Sequence, residues 1–243
     1  MWVRYFWINF KFVYKLRKTI RDFKLYKQCG EGVSITIKSK EDYDLYIEAD
    51  RIALGKDYKK PKIIGDDIWK FQRLLRKAEY YNNCKKSFIH KLYSKYILFR
   101  LHRMSLHLGF SIPINVFGPG LCIAHRGTIV VNKDVRVGEN CRIHACTNIG
   151  SGRGSDLLAP KIGNSIYIGP GAKIFGNVEI ADNIAIGANS VVNKSFYEKG
   201  ISIAGVPAKK INNKGSDGMV IKATKLISVH VAQEIIEHAI VTE

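Results

Sequence analysis

Six-residue spacing of aliphatic side chains constrains this chain more than any other feature. Ile162, Ile168, Ile174, Ile180, Ile186 and Val192 follow one another six apart without a miss. The residue after most of them is small (Gly163, Gly169, Ala181, Gly187), and Ile166, Ala172, Val178, Ile184 and Ser190 recur four positions on. Helices repeat every 3.6 residues and strands every 2, so neither generates this spacing. The physical solution is a coil of three short flat strands, about 18 residues round, with each aliphatic residue pointing inward and each small residue fitting a tight corner.

Upstream, Ile149, Ile143, Val137 and Val131 keep the step of six, and Ile129, Ile123 and Phe117 keep it in a register displaced by two. The displacement predicts a two-residue bulge around 129–131. A longer interruption separates Ile149 from Ile162, where Gly150-Ser-Gly-Arg-Gly-Ser-Asp156 must loop out of the coil. Such a loop reads either as a lid or as a tolerated surface insertion. The expected fold is therefore a left-handed parallel β-helix of hexapeptide repeats over 110–211. It is preceded by a mainly α-helical part, 1–109, and followed by a tail, 212–243.

Before Phe110 the pattern is helical. Ser39 followed by Asp42 resembles a helix N-cap and opens a segment to about Leu54; a second helix is predicted from Asp66 to Tyr81 and a third from Ser87 to Leu108. Ile68, Phe71, Leu74 and Leu75 form one apolar stripe, with Lys70, Arg73, Arg76 and Lys77 expected on a solvated face. In the tail, Leu226, Val229, Val231, Ile235, Ile236 and Ile240 suit a helix or a late strand. The open ends of a β-helix expose strand edges, and the helical half is expected to cover one of them.

The net charge of +18 falls mostly before residue 110. No recognition motif accompanies those basic residues, which argues against nucleic acid. The first fifteen residues alternate aromatic and basic side chains (Trp2, Arg4, Trp7, Lys11, Lys15) and offer no small-residue cleavage site, so they are expected to be retained. That composition suits both plain solubility and an anionic membrane surface. The expected location is cytoplasmic, with peripheral contact at the inner face of the plasma membrane as the alternative. No stretch is apolar enough to span a membrane, and five cysteines in no paired spacing suit a reducing compartment.

Counting along the coil puts His125 and His144 on neighbouring rungs, whose backbones lie about 4.8 Å apart. Moving an acetyl group from a thioester to a hydroxyl requires the alcohol proton to leave during attack, and an imidazole is suited to take it. His125 and His144 are the candidate catalytic residues, the second as a donor to the tetrahedral oxyanion. A covalent route through Cys122, Cys141 or Cys146 is the weaker reading, since Cys141 and Cys146 fit as small residues near corners.

Gly118-Pro-Gly-Leu-Cys-Ile-Ala-His125-Arg-Gly-Thr-Ile-Val-Val131, Pro160-Lys-Ile-Gly163 and Ala204-Gly-Val-Pro-Ala-Lys209 together resemble serine acetyltransferase over about 110–211. The resemblance implies that His125 is the general base, that the protein is a homotrimer, and that acetyl-CoA is the donor; trimer and hexamer stay open as alternatives. It also implies a coenzyme groove along Gly150, Pro170, Gly171, Ala188, Ser190, Ala204, Gly205, Pro207 and Lys209, with no metal required.

Three acceptor-side positions depart from that family. Its aspartate before the base is Ala124 here, the histidine before Pro-Lys-Ile is Ala159, and the aspartate that orients the base is Phe110. The stretch from Glu48 through Gly55 and Lys62 to Arg76 resembles instead the serine-acetyltransferase-like proteins of capsule and exopolysaccharide clusters. The expectation is an O-acetyltransferase with a surface-polysaccharide hydroxyl, or its precursor, as the saccharide acceptor. Serine acetylation is the alternative of the same reaction type. A zinc carbonic-anhydrase-like site using His125 and His144, and a non-catalytic binding protein, are the alternatives of other classes.

Overall fold

A computed structural model describes residues 36–152 and 158–240. The aromatic and basic N-terminal stretch and part of the predicted lid, 153–157, lie outside these described residues. Residues 34–223 form one compact unit; the last helix is grouped apart from it.

Three helices come first. Helix α1 spans Lys40–Ala53, α2 Asp67–Cys84 and α3 Phe88–Leu108. Ser39 caps α1, its hydroxyl accepting from the Asp42 N–H at 3.0 Å, while the Asp42 carboxylate reaches back to the Lys38 N–H at 2.8 Å. Helix α3 ends at Gly109, in the left-handed conformation at φ 78°, where only glycine avoids a Cβ penalty. Phe88, Ile89, Leu92, Phe99 and Leu106 of α3 remain exposed. Among the described residues no helix is long and apolar enough to cross a membrane.

The coil follows as short parallel strands on three faces. Face A holds β1 (Phe110–Ser111), β3 (Ile129–Val131), β6 (Thr147–Gly150), β9 (Lys173–Phe175) and β12 (Val191–Val192). Face B holds β4 (Arg136–Val137), β7 (Lys161–Ile162) and β10 (Glu179–Ile180). Face C holds β2 (Cys122–Ile123), β5 (Arg142–Ile143), β8 (Tyr167–Ile168), β11 (Ala185–Ile186), β13 (Ser202–Gly205) and β14 (Ala208–Asn212). Regular rungs pair residues 18 apart, as in Ile168 with Ile186 and Ile174 with Val192. The six-spaced aliphatic residues all point into the prism and are buried.

Register locates the two extra residues more finely than the sequence does. Ile123 pairs with Ile143, 20 residues on, yet Ile129 already pairs with Thr147, 18 on. The surplus therefore lies in the corner between Ile123 and Ile129, and the expected bulge at 129–131 is corrected: those residues are regular strand. It widens the corner that holds His125. The second interruption behaves as expected, since Ile149 pairs with Ile174, 25 residues on, so seven surplus residues leave the coil after β6.

Each end of the coil is closed differently. At the first rung, side chains of α1 and α2 satisfy the backbone. Gln72 Nε2 donates to Leu121 O at 2.6 Å and Gln72 Oε1 accepts from the Ile123 N–H at 3.3 Å. Arg76 donates to Phe117 O and Gly118 O, both at 2.7 Å. Asp50 Oδ1 accepts from the N–H groups of Gly120 at 3.0 Å and Leu121 at 2.8 Å. Arg76 is also ion-paired to Asp50 at 2.8 Å and Glu79 at 3.1 Å, and all three are buried. Burial pushes the Asp50 and Glu79 carboxyls upward, opposed by the Arg76 guanidinium. The solvated position expected for Arg76 is thus corrected, because its guanidinium is shared between two carbonyls of an unpaired edge and the carboxylates of Asp50 and Glu79. At the far end β14 turns back antiparallel on β13. The tail's last segment is a helix, α4 (Ala223–Ile240).

Candidate functional site

The edge where face C turns into face A collects most of the expected site. On successive rungs this corner carries His125, then His144, then Pro170 and Gly171, then Ala188 and Ser190, then Ala204 and Gly205. Four rung steps separate the first from the last, about 19 Å at the usual inter-strand spacing. The corner turns through left-handed residues, Cys146 at φ 64°, Gly171 at 77° and Asn189 at 55°. A Cβ on Gly171 would fall 2.0 Å from Asn189 Oδ1, so a larger residue here would have to turn the Asn189 side chain aside as well as adopt a positive φ. Ser190 is buried, and its hydroxyl accepts from the Gly205 N–H at 3.3 Å, fastening the next rung. Pro207 and Lys209 lie on the β13–β14 hairpin that ends the edge.

Gly150 does not join them. It closes β6 at the corner between faces A and B, where its carbonyl accepts from the Gly176 N–H at 3.1 Å. Ala159, also at that corner, is buried. Within one chain neither position shares the histidine edge.

The histidines are close, with ring centroids 5.9 Å apart. His125 is exposed on the widened corner, whereas His144 is 8% exposed and lies 4.9 Å from the Tyr167 ring. His144 Nδ1 is 3.0 Å from Ile168 O. A carbonyl only accepts, so Nδ1 carries the proton and neutral His144 presents a lone pair at Nε2. Desolvation, offset in part by the Ile168 hydrogen bond and reinforced by the charges of Arg142 and His125, holds its pKa below the ordinary imidazole range. The neutral ring is an acceptor, which counts against the donor role expected for His144 at an oxyanion.

Phe110, where the resemblance would put an orienting aspartate, is buried and packs edge-on against Phe71 at 5.0 Å. It supplies apolar contact and no acceptor. Burial raises the Cys141 and Cys122 thiols, which disfavours the thiolate a covalent route needs. Among the described residues no group of three His, Cys, Asp or Glu side chains is arranged to hold a metal ion.

A cleft of about 290 Å³ opens beside the widened corner. It lies between the α1–α2 connection and the coil and is lined by Lys56, Asp66, Asp67, Trp69, Ala124 and Arg126, among others. The sequence gives no sign of it, because its walls come from two segments, 54–69 and 123–126, whose meeting depends on the tertiary packing.

No family model matches the chain. Among curated proteins it is similar to serine acetyltransferase of Synechococcus elongatus, 32% identical over 99 residues, 40% of this chain and 40% of that protein. It is also similar to serine acetyltransferase of Staphylococcus xylosus, 33% identical over 132 residues, 52% of this chain and 61% of the relative. The chain thus spans about half the length of these curated relatives. Among solved structures it resembles serine acetyltransferase of Neisseria gonorrhoeae with a TM-score of 0.54 at 26% identity, covering 79% of this chain and 70% of that one. It likewise resembles the Brucella abortus serine acetyltransferase in complex with coenzyme A, with a TM-score of 0.53 at 26% identity, covering 72% and 70%.

The fold these likenesses define is the left-handed hexapeptide-repeat β-helix behind a helical N-terminal part. Its similarity is to serine acetyltransferases. That overturns the expectation of a capsule or exopolysaccharide acceptor, since these relatives and neighbours are named for serine.

Proposed function

We propose that the chain is an acetyl-CoA-dependent O-acetyltransferase with the hydroxyl of serine as acceptor. The single observation that supports this most is the shared edge, on which His125 and His144 head the column of residues expected to line the coenzyme. The likeness to a serine acetyltransferase solved with coenzyme A supports the donor, and the likeness to one solved with serine, 27% identical with a TM-score of 0.52, supports the acceptor.

In this reading His125 takes the hydroxyl proton as the serine oxygen attacks the thioester carbonyl. The carbon–sulfur bond then breaks and the proton passes from His125 to the departing thiolate, leaving acetylserine and free coenzyme A. His144, its proton committed to Ile168 O, stands beside the base with its ring centroid 5.9 Å from that of His125, and no hydrogen bond joins the two rings. Pro170, Gly171, Ala188, Ser190, Ala204, Gly205, Pro207 and Lys209 would hold the coenzyme along the same edge, with Lys209 able to meet a phosphate. The assembly is a homotrimer, so that the Ala159 corner of one copy can approach the histidine edge of the next.

The test is thiol release from acetyl-CoA on adding serine. His125→Ala should keep the fold by circular dichroism and lose roughly 10²- to 10⁴-fold in kcat/KM. Serine-dependent release at the parent rate in that variant would sink the assignment.

A further inference from the structure

One side of α3 holds the helix to the fold and the other does not. Ile97, Leu101 and Leu108 are buried in the core with Phe71 and Leu75 of α2. At about 3.6 residues to a turn, Phe88, Leu92, Phe99 and Leu106 fall in one narrow strip on the opposite side, about 27 Å long. They are 81%, 63%, 62% and 66% exposed. Single exposed apolar side chains are ordinary, but four aligned along one helix mark an interaction surface.

Cations flank the strip. Lys91 and Lys95 lie along one border and Arg100 and Arg103 along the other, all exposed. No aspartate or glutamate occurs from Tyr80 through Lys133. Among the described residues none of the four cations is paired with a carboxylate.

This charge selects among the surfaces that could cover the strip. Two copies of α3 packed strip to strip would set basic border against basic border, whichever way the helices ran, with no carboxylate to answer. Nucleic acid would take the cations and leave the four apolar side chains in water. An anionic lipid bilayer answers both, because its headgroups carry the opposite charge and its acyl boundary accepts Phe and Leu. A loop of like composition enters α2, where Ile63 and Ile64, 95% and 90% exposed, follow Lys59, Lys60 and Lys62. Tyr81 meets Tyr93 at 4.9 Å and Phe71 meets Phe110 at 5.0 Å, so α3 runs antiparallel to α2 and finishes at the end of α2 that this loop enters.

We infer that α3 rests along an anionic membrane surface, with Phe88, Leu92, Phe99 and Leu106 at the acyl boundary and Lys91, Lys95, Arg100 and Arg103 among the headgroups. The contact is peripheral, since the other side of the helix stays in the core. It is carried by described residues and does not depend on the aromatic and basic N-terminal stretch. None of these side chains enters the acetyl transfer, so the inference stands or falls apart from the donor and the acceptor.

The experiment is cosedimentation of the full chain with vesicles of phosphatidylcholine alone and of phosphatidylcholine mixed equally with phosphatidylglycerol. The parent should pellet with the mixed vesicles, stay in solution with phosphatidylcholine alone, and be released by salt as the charges are screened. The double variant Phe99→Ser/Leu106→Ser should weaken binding at least about tenfold, and Lys95→Gln/Arg103→Gln about fivefold for each charge removed. Circular dichroism and sedimentation velocity should show the parent's fold and assembly size in both. A parent that stays in solution with the mixed vesicles overturns the inference. So does unchanged binding in either variant, which would give the membrane to another segment. A Phe99→Ser/Leu106→Ser variant that splits the parent's assembly into smaller species would assign the strip to a second copy and overturn it as well.

Discussion

The two ends of the coil solve one problem by opposite means. A β-helix leaves a row of unpaired N–H and C=O groups at each end, open to pairing with another chain. At the far end β14 supplies backbone to backbone, folding antiparallel onto β13. At the near end three side chains from two helices, Asp50, Gln72 and Arg76, meet the groups of Phe117 through Ile123 one by one. The first solution spreads its stabilisation over many small terms. The second concentrates it in a buried charge cluster, where one loss strands its partners.

That contrast can be broken at Arg76. Replacing Arg76 by Met should cost about 3–5 kcal/mol, because Asp50 and Glu79 stay buried without their counter-charge. Chemical denaturation gives the magnitude, and hydrogen exchange should show Gly118 to Ile123 losing protection while β13 and β14 keep theirs. Equal loss at both ends would remove the distinction.

A smaller change sharpens it. Gln72→Leu removes a donor to Leu121 O, an acceptor for the Ile123 N–H and a neutral hydrogen-bonding neighbour of Asp50, while the Arg76–Asp50 ion pair stays in place. The expected destabilisation is about 1–3 kcal/mol. The difference between this variant and Arg76→Met measures what charge adds to the near end. Smallest is Ser39→Ala, which deletes the α1 N-cap and should lower stability by about 1 kcal/mol in a thermal melt. It matters here because α1 delivers Asp50 to the coil.

The histidine pair shows how far a linear reading reached. Period six fixed which residues enter the prism, so His125 and His144 had to stand on adjacent rungs, and their rings lie 5.9 Å apart. The same counting misplaced the bulge at 129–131, since an aliphatic register slips by two wherever in the corner the extra residues sit. Only strand pairing, Ile123 with Ile143 and Ile129 with Thr147, assigns them to the His125 corner. Arg76 was misread for a related reason. Helical periodicity separates apolar from polar side chains, and it is blind to a polar strand edge waiting above the helix.

The sequence by itself determined the coil and the three helices, because each rests on local spacing that the chain repeats or caps. The tertiary structure alone decided the rest. It turned Gln72 and Arg76 into an end cap, fixed the proton on His144 Nδ1 through Ile168 O, and brought Asp67 against Arg126. These are contacts between segments far apart in the chain, set by how the helices pack on the first rung, and no periodicity in the residues encodes them.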